Sequence, residues 1–359
     1  MLGTVAFGGP AAHIAMMEDQ VVRRRAWLSR AEFLDLLGAA NVLPGPSSTE
    51  LAIFIGYRVA GWPGMLLGGV CFILPAALIV LAFAWVYVRA GSLPAVAGIL
   101  AGVQPAVIAV LLQALWSLGR AALTTLALAA VCVVAIALAA AGVAPIVVLA
   151  AGAVLAVLAT LTERARPART AVILPLSLAA PAAATVPFGL GGLFFTFLKV
   201  GALLFGSGYV LLAFLRADLV THLGWLTERQ LLDAVAVGQV TPGPVFTTAT
   251  FIGYVLGGGA GAAVATVAIF LPSFVFVAAS GPLLPRLRRS PVATASLHGV
   301  TVASLALMAV VTAQLARVAL TGVVPVAIAA ASAVLLLRFR VNSAWLMLAG
   351  ALVGALALR

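Results

Sequence analysis

The sequence predicts an all-α polytopic membrane protein: two homologous, inverted repeats of about five spanning helices, each with one half-helix broken by Pro-Gly-Pro. Three observations predict it. Of 359 residues, 64% are apolar and only 8% are charged, against roughly 25% charged in a soluble domain, so a water-exposed surface cannot be built from this chain. Apolar stretches long enough to cross a hydrocarbon core of about 30 Å recur along it. The chain also repeats itself at a nearly constant offset.

The repeat fixes the domain boundaries. Phe7, Gly8, Trp27, Leu28, Leu34 and Asp35 recur as Phe205, Gly206, Trp225, Leu226, Leu232 and Asp233, and Pro44-Gly45-Pro46 recurs 198 residues on as Pro242-Gly243-Pro244. One residue then drops out, and Phe54-Ile55-Gly56-Tyr57 and Leu74-Pro75 recur at an offset of 197 as Phe251-Ile252-Gly253-Tyr254 and Leu271-Pro272. Chance matches of Ala and Leu are expected at this composition; aligned Trp, Asp and Pro-Gly-Pro are not. The first membrane repeat is 1–161, the linker 162–190 and the second repeat 191–359. The linker's ERARPAR run and its prolines set it apart.

Each repeat reads in the same order. An apolar segment leads into a charged amphipathic stretch such as 18–35, then the Pro-Gly-Pro turn, a short apolar helix (47–60 or 245–256) and four longer apolar segments. These four cover 63–88, 93–118, 121–141 and 145–161 in the first repeat, and 260–284, 291–315, 318–337 and 342–358 in the second. At 1.5 Å per residue, the short helix reaches about 21 Å and cannot span. It is predicted as a half-helix or re-entrant hairpin. The apolar segment opening the first repeat has only six residues before Phe7, which predicts a clipped N-terminus.

Five spans per repeat, an odd number, would invert the second repeat relative to the first. With Arg23-Arg24-Arg25 in the cytoplasm and the short helices re-entrant, thirteen Arg fall on that side and five on the other, in the sense that positive loops are retained inside. If the short helices span fully and the units are parallel, the split is about twelve to six, a difference too small to decide alone. The repeats also exchange their bias: the loop holding Arg23 to Arg25 is net acidic in the second repeat, while the loop with Arg89 becomes Arg286, Arg288 and Arg289. That exchange favours inversion.

The net charge of +11 would suggest nucleic acid in a soluble protein, but the Arg lie between apolar stretches with no basic stripe, so no nucleic-acid partner is expected. The partner is the lipid bilayer, in a multi-pass arrangement. Cys71 and Cys132 lie in apolar segments without a CxxC or His/Cys cluster, so neither disulfide nor metal is suggested. No carboxylate pair, GxSxG or HExxH lies in a span, and no cofactor motif is present. An enzyme is not expected. Whether the chain acts alone or as a homodimer is left open.

The candidate site is built from the repeated turn. Pro-Gly-Pro breaks the backbone twice, and irregular backbone at membrane depth is tolerated only where protein or a watery cavity satisfies it. Gly45, Ser47, Ser48 and Thr49 in one repeat, and Gly243, Thr247 and Thr248 in the other, suit a helix N-terminus whose free N–H groups and hydroxyls face an anion. The alternative is two structural kinks capped by hydroxyls. Asn41 and Gln239, three residues before each turn, can donate without bringing charge, or can bond helix to helix. Lys199 is the single Lys and lies in an apolar segment; such residues are functional-site candidates. Glu50, Arg58 and His13 are candidates for coupling, with snorkelling of Arg58 as the plain alternative. His298 could titrate near neutrality but is not assigned to the site.

The run FGGPAAHIAMM…WLSRAEFLDLLGAANVLPGPSSTELAIFIGYRVAGWPG, the repeated FIGY, the FLP of the second repeat and the second TPGP resemble the long, two-unit members of the chromate ion transporter family. The resemblance covers nearly the whole chain. It implies export of chromate, an oxyanion close to sulfate in shape and charge, as a secondary transporter in the bacterial plasma (inner) membrane, conferring chromate resistance. Sulfate or another anion is the alternative substrate. Single-unit members of the family work as pairs in opposite orientation, as inversion would require. No agreed list of binding residues comes with the resemblance, so none is carried over.

Overall fold

The computed structural model describes residues 9–90, 93–164, 187–204, 208–339 and 341–357. The expected clipped start and most of the expected linker fall outside these residues. Every described element is helical. In order they are α1 (Gly9–Glu18), a π-helical turn (Asp19–Arg24), α2 (Arg30–Ala40), α3 (Ser47–Ala90), α4 (Pro94–Ala122), α5 (Leu126–Ala140), α6 (Pro145–Arg164) and α7 (Leu190–Leu203). There follow a 3₁₀ turn (Gly208–Val210), α8 (Leu211–Leu215), a second π-helical turn (Arg216–His222), α9 (Glu228–Val240), a 3₁₀ turn (Val245–Thr247), α10 (Thr248–Arg289), α11 (Pro291–Ala319), α12 (Val323–Phe339) and α13 (Ser343–Ala357).

The same local geometry recurs at the sequence offset. Trp27 and Leu28 donate their N–H groups to the Val21 carbonyl, and Trp225 and Leu226 donate theirs to Leu219, closing the two π-helical turns alike. Each following helix opens on a capping box. The Glu32 N–H donates to the Ser29 hydroxyl (3.2 Å) and the Ser29 N–H to the Glu32 carboxylate (2.9 Å); Gln230 and Thr227 do the same at 3.2 and 2.9 Å. The Ser29 amide and hydroxyl, with Arg58 nearby, hold the Glu32 carboxyl below its usual range.

The long helices α3 and α10 are each two helices joined at a sharp break. Ala60 and Gly61 sit at φ/ψ of −141°/22° and 61°/−144°; Gly257 and Gly258 repeat this at −142°/22° and 59°/−150°. The left-handed φ at Gly61 and Gly258 is open to glycine and strained for other residues. The chain reverses there, so that Gly56 lies against the Gly64 carbonyl and Gly253 against the Gly261 carbonyl. Thr250 and Thr266 share a hydrogen bond of 2.7 Å across the second hairpin. Small residues permit this backbone approach, the usual means of helix contact in lipid. The predicted half-helix 47–60 is thus present and folds back on the helix that comes after it.

It also folds back on the helix before it. Arg58, near the end of the half-helix, donates to Glu32 in the first turn of α2 at 2.7 Å. Residues 32 and 58 stand equally far from the Pro-Gly-Pro turn, so α2 and the half-helix form an in-and-out pair with the turn at its tip. An in-and-out pair of this kind fits the short helix expected from length.

The halves interlock. α4 packs on α12 and α13, while its sequence counterpart α11 packs on α5 and α6. The contacts are reciprocal: Gly102 meets Gly350, and Gly299, its counterpart, meets Gly152. Reciprocity of this kind is the mark of a twofold relation. One cavity is lined by the C-terminal end of α4 (118–122) with 298–305 of α11. Another is lined by the N-terminal part of α4 (97–104) with Val318 and Ala319, at the C-terminal end of α11. α4 and α11 therefore run antiparallel, the arrangement inversion requires.

The outer surface is apolar. Leu67, Val70, Leu74 and Leu78 form one exposed stripe along α3 at helical spacing, and Leu348, Leu352 and Leu356 another along α13. Large apolar stripes of this kind face lipid. Among the described residues, five helices are long and apolar enough to cross a membrane, and α5, α12 and α13 are apolar helices of 15, 17 and 15 residues. The protein is a multi-pass membrane protein.

Candidate functional site

Both Pro-Gly-Pro turns reach the wall of one cavity of about 470 Å³. From the first half come His13, Asn41, Pro46, Ser47 and Ser48; from the second come Gly208, Pro244, Val245 and Phe246. The ends of α4 and α11 complete the wall with Thr124, His298, Thr301 and Ser304 among others. A half-helix of about 14 residues sets the first turn roughly 20 Å from its hairpin end, a length short of a hydrocarbon core of about 30 Å.

The turn geometry is what glycine allows. Gly45 has φ +139° and Gly243 φ +104°, both in the region other residues avoid. The Gly45 N–H donates to the Leu204 carbonyl at 2.7 Å, which ties the first turn to the end of α7. Within the first half-helix, the earliest bonded amides are those of Thr49 and Glu50, both to the Pro46 carbonyl at 2.7 and 3.0 Å. Ser47 and Ser48, which precede them at the helix N-terminus, line the cavity.

Of the residues expected at the site, the structure brings Asn41, Ser47 and Ser48 onto the cavity wall, together with His13. The His13 Nδ1 lies 3.3 Å from the Ser48 hydroxyl, and its ring stands edge-on to Phe72 at 5.5 Å. Thr49 is fully buried behind this wall and its hydroxyl has no partner. In the second half, the Thr247 and Thr248 hydroxyls donate to the Pro244 and Val245 carbonyls at 2.8 and 2.7 Å. Both serve the turn itself. The Gln239 amide nitrogen is buried without a partner and off the cavity wall.

The charged candidates separate. Lys199 donates to Asp218 at 2.7 Å and is half exposed, away from the turns. Arg58 sits with Glu32 at the opposite end of the half-helix. Glu50 is fully buried, its carboxylate lies over Gly45 beside the Ser273 hydroxyl, and neither of its oxygens has a partner.

Sequence reasoning missed the wall contributed by α4 and α11. His298 and Thr301 are one helical turn apart and Leu305 one turn further, a face that a helical-wheel reading of an otherwise apolar segment could have singled out. Nothing in the sequence tells which neighbour that face meets. Among the described lining residues there is no Lys, Arg, Asp or Glu. An anion held here would be bound by amides, hydroxyls, an amide side chain and imidazole.

At the far end of α4, Asp233 is buried and accepts hydrogen bonds from Tyr87 (3.0 Å) and Gln104 (2.8 Å). This network joins α9 of the second half to α3 and α4 of the first, on the wall of a second cavity of about 640 Å³.

The chromate transporter family model matches residues 1–157 and 191–355. A chromate transport protein of Cupriavidus metallidurans is 33% identical over 368 aligned positions, covering 99% of this chain and 90% of its own length. A probable chromate transport protein of Synechococcus elongatus is 34% identical, covering 84% of this chain and 79% of its own. A chromate transport protein of Pseudomonas aeruginosa is 34% identical, with 76% and 69% covered. No solved structure matches the chain.

Proposed function

The chain belongs to the chromate transporter family, and we propose that it is a secondary transporter that exports chromate from the bacterial cytoplasm across the inner membrane, conferring chromate resistance. The observation that carries this reading is the convergence of the two Pro-Gly-Pro turns on one cavity. A tetrahedral dianion in hydrocarbon is prohibitively costly unless several donors meet it at once. The cavity supplies them without salt bridges: the N-terminal amides of the first half-helix, the Ser47 and Ser48 hydroxyls, the Asn41 amide and the two histidines, with the helix dipole favouring negative charge.

Transport follows from the interlocked halves. We take the two as inverted units related by a twofold axis in the membrane plane, an arrangement supported by the antiparallel run of α4 and α11 and by the reciprocal glycine contacts. The cavity at the turns and the cavity at Asp233 lie toward opposite ends of α4 and α11. The Asp233–Gln104–Tyr87 network bridges the two halves at the latter end. Rocking of one unit against the other, with that network parting, would exchange the two openings about a fixed site.

The test is uptake of labelled chromate into everted membrane vesicles, with and without excess sulfate and with the proton gradient or the membrane potential collapsed in turn. Export predicts accumulation in everted vesicles that sulfate competes with only weakly. Accumulation only in right-side-out vesicles overturns the direction, and displacement of chromate by equimolar sulfate makes the protein a sulfate-class carrier.

A further inference from the structure

We infer that Glu50 is the proton site of this carrier, binding one proton together with the oxyanion at the first Pro-Gly-Pro turn. The inference rests on the cavity being the anion site. Glu50 lies in the first turns of the half-helix that begins at Ser47, with no exposure to solvent. Neither carboxylate oxygen has a hydrogen-bond partner, and the Ser273 hydroxyl, which also lies over Gly45, has none either. A structural carboxylate buried at this depth would be met by a cation or by donors. This one is met by neither.

Its position gives the missing partner a meaning. The amides of Ser47 and Ser48 and the dipole of the half-helix favour one negative charge at this terminus. An ionised Glu50 would compete with the oxyanion for the same potential and repel it across less than two helical turns. A protonated Glu50 does neither. Binding of the anion and binding of the proton therefore favour each other, and by linkage each raises the affinity of the other by the same factor. The step is Glu50–COO⁻ plus H⁺ giving Glu50–COOH, with no other bond made or broken. A dianion leaving with that proton carries a net charge of −1 in place of −2.

The elements packed against α3, and those adjoining them in the chain or at the first turn, carry other charged and titratable groups. Packed against it are His13 and Glu18 on α1, Arg30, Glu32 and Asp35 on α2, Glu228, Arg229 and Asp233 on α9, and Tyr254 on α10; adjoining are Asp19, Arg23 and Arg24 on the π-helical turn and Lys199 on α7. Glu18 pairs with Arg30, Asp19 with Arg24, Glu32 with Arg58 and Lys199 with Asp218. Asp233 is held by Gln104 and Tyr87. None of these groups is bonded to Glu50. His13 lines the cavity beside Ser48 and is the group a control must address. The second turn has Thr247 and Thr248 where the first has Glu50, so the proton site belongs to one unit alone.

The experiment uses the full chain reconstituted in liposomes at a fixed membrane potential. Chromate flux is followed from pH 5.5 to 8.5 alongside proton movement read by a trapped pH dye, for the wild type, Glu50→Gln and His13→Asn. Chromate changes its own protonation over this range equally for all three, so the difference between proteins reports the site. The wild type should lose apparent affinity relative to Glu50→Gln by about tenfold per pH unit above the titration of one group, with protons moving alongside chromate. Glu50→Gln should move chromate with no accompanying proton, and His13→Asn, which removes an imidazole donor from the cavity wall, should weaken chromate binding but keep both the slope and the proton. Wild-type chromate flux without proton movement overturns the inference even if Glu50→Gln fails to fold. So does a Glu50→Gln protein with the wild-type profile. A wild type that moves neither chromate nor sulfate instead sinks the carrier reading on which the inference stands.

Discussion

The turn at 44–46 and the turn at 242–244 both hold glycine at positive φ and both begin a half-helix that ends at the same glycine-dependent reversal, at Gly61 and Gly258. The side chains just beyond the two turns are unlike. After the first come Ser47 and Ser48 on the cavity wall and a buried, unpartnered Glu50. After the second come Val245 and Phe246 on the wall, with both threonine hydroxyls spent on the turn's own carbonyls. Under the proposed function, the backbone device is kept in duplicate so that each unit offers a helix terminus, and the side chains are free to diverge because one set of donors can serve a shared cavity. In this account the first turn supplies chemistry and the second supplies shape.

The largest effect should come from what the two turns share. Gly45→Leu and Gly243→Leu place a side chain at a φ that L-residues rarely adopt, and at Gly45 the new Cβ would meet the Glu50 carboxylate. Each should abolish chromate uptake by everted vesicles while leaving the protein inserted in the membrane at near wild-type abundance. If both transport normally, the turns are structural kinks. Next in size is loss of the hairpin contact. Gly56→Leu and Gly253→Leu collide with the Gly64 and Gly261 carbonyls and should lower the abundance of folded protein to a similar degree in both halves, as read by detergent-solubilised yield on size exclusion. A large inequality would mean that the two hairpins are not equivalent.

The chemistry should then separate the halves. Asn41→Leu removes a donor from the cavity wall and should raise the half-saturating chromate concentration roughly tenfold, if one bond to a charged ligand is worth about 1.5 kcal/mol. Gln239→Leu, off the wall, should raise it by less than about threefold, in line with a neutral helix contact of about 0.6 kcal/mol. Equal effects would restore symmetry to the site. Lys199→Gln should change it least, because its ammonium is committed to Asp218; an effect as large as that of Asn41→Leu would place a cation at the site after all.

Much of this architecture can be read from residue order. Composition announces the membrane, aligned Trp, Asp and Pro-Gly-Pro announce the two halves, and the shortness of 47–60 announces the re-entrant helix. Of the candidate site, sequence reading reached what local geometry determines, and Asn41, Ser47, Ser48 and His13 line one cavity. Other features were hidden because they depend on packing between halves. The pairing of α4 with α13 and of α11 with α6 cannot be told from uniformly apolar segments, so the wall bearing His298 and Thr301 had no address. A hydroxyl's direction is equally invisible: Thr247 and Ser48 look alike in sequence, yet one bonds its own backbone and the other lines the cavity. Lys199 looked like a buried charge because its partner Asp218 lies in the π-helical turn, whose placement sequence spacing does not give.

The central claim, that both turns face one oxyanion, is tested most directly by protection from thiol labelling. With Cys71 and Cys132 replaced by Ala, single-cysteine proteins Ser47→Cys and Val245→Cys would each be labelled in membrane vesicles over a range of chromate concentrations. The account predicts that chromate slows labelling at both positions with the same half-effective concentration. Protection at one position alone, or at neither while transport persists, would contradict it.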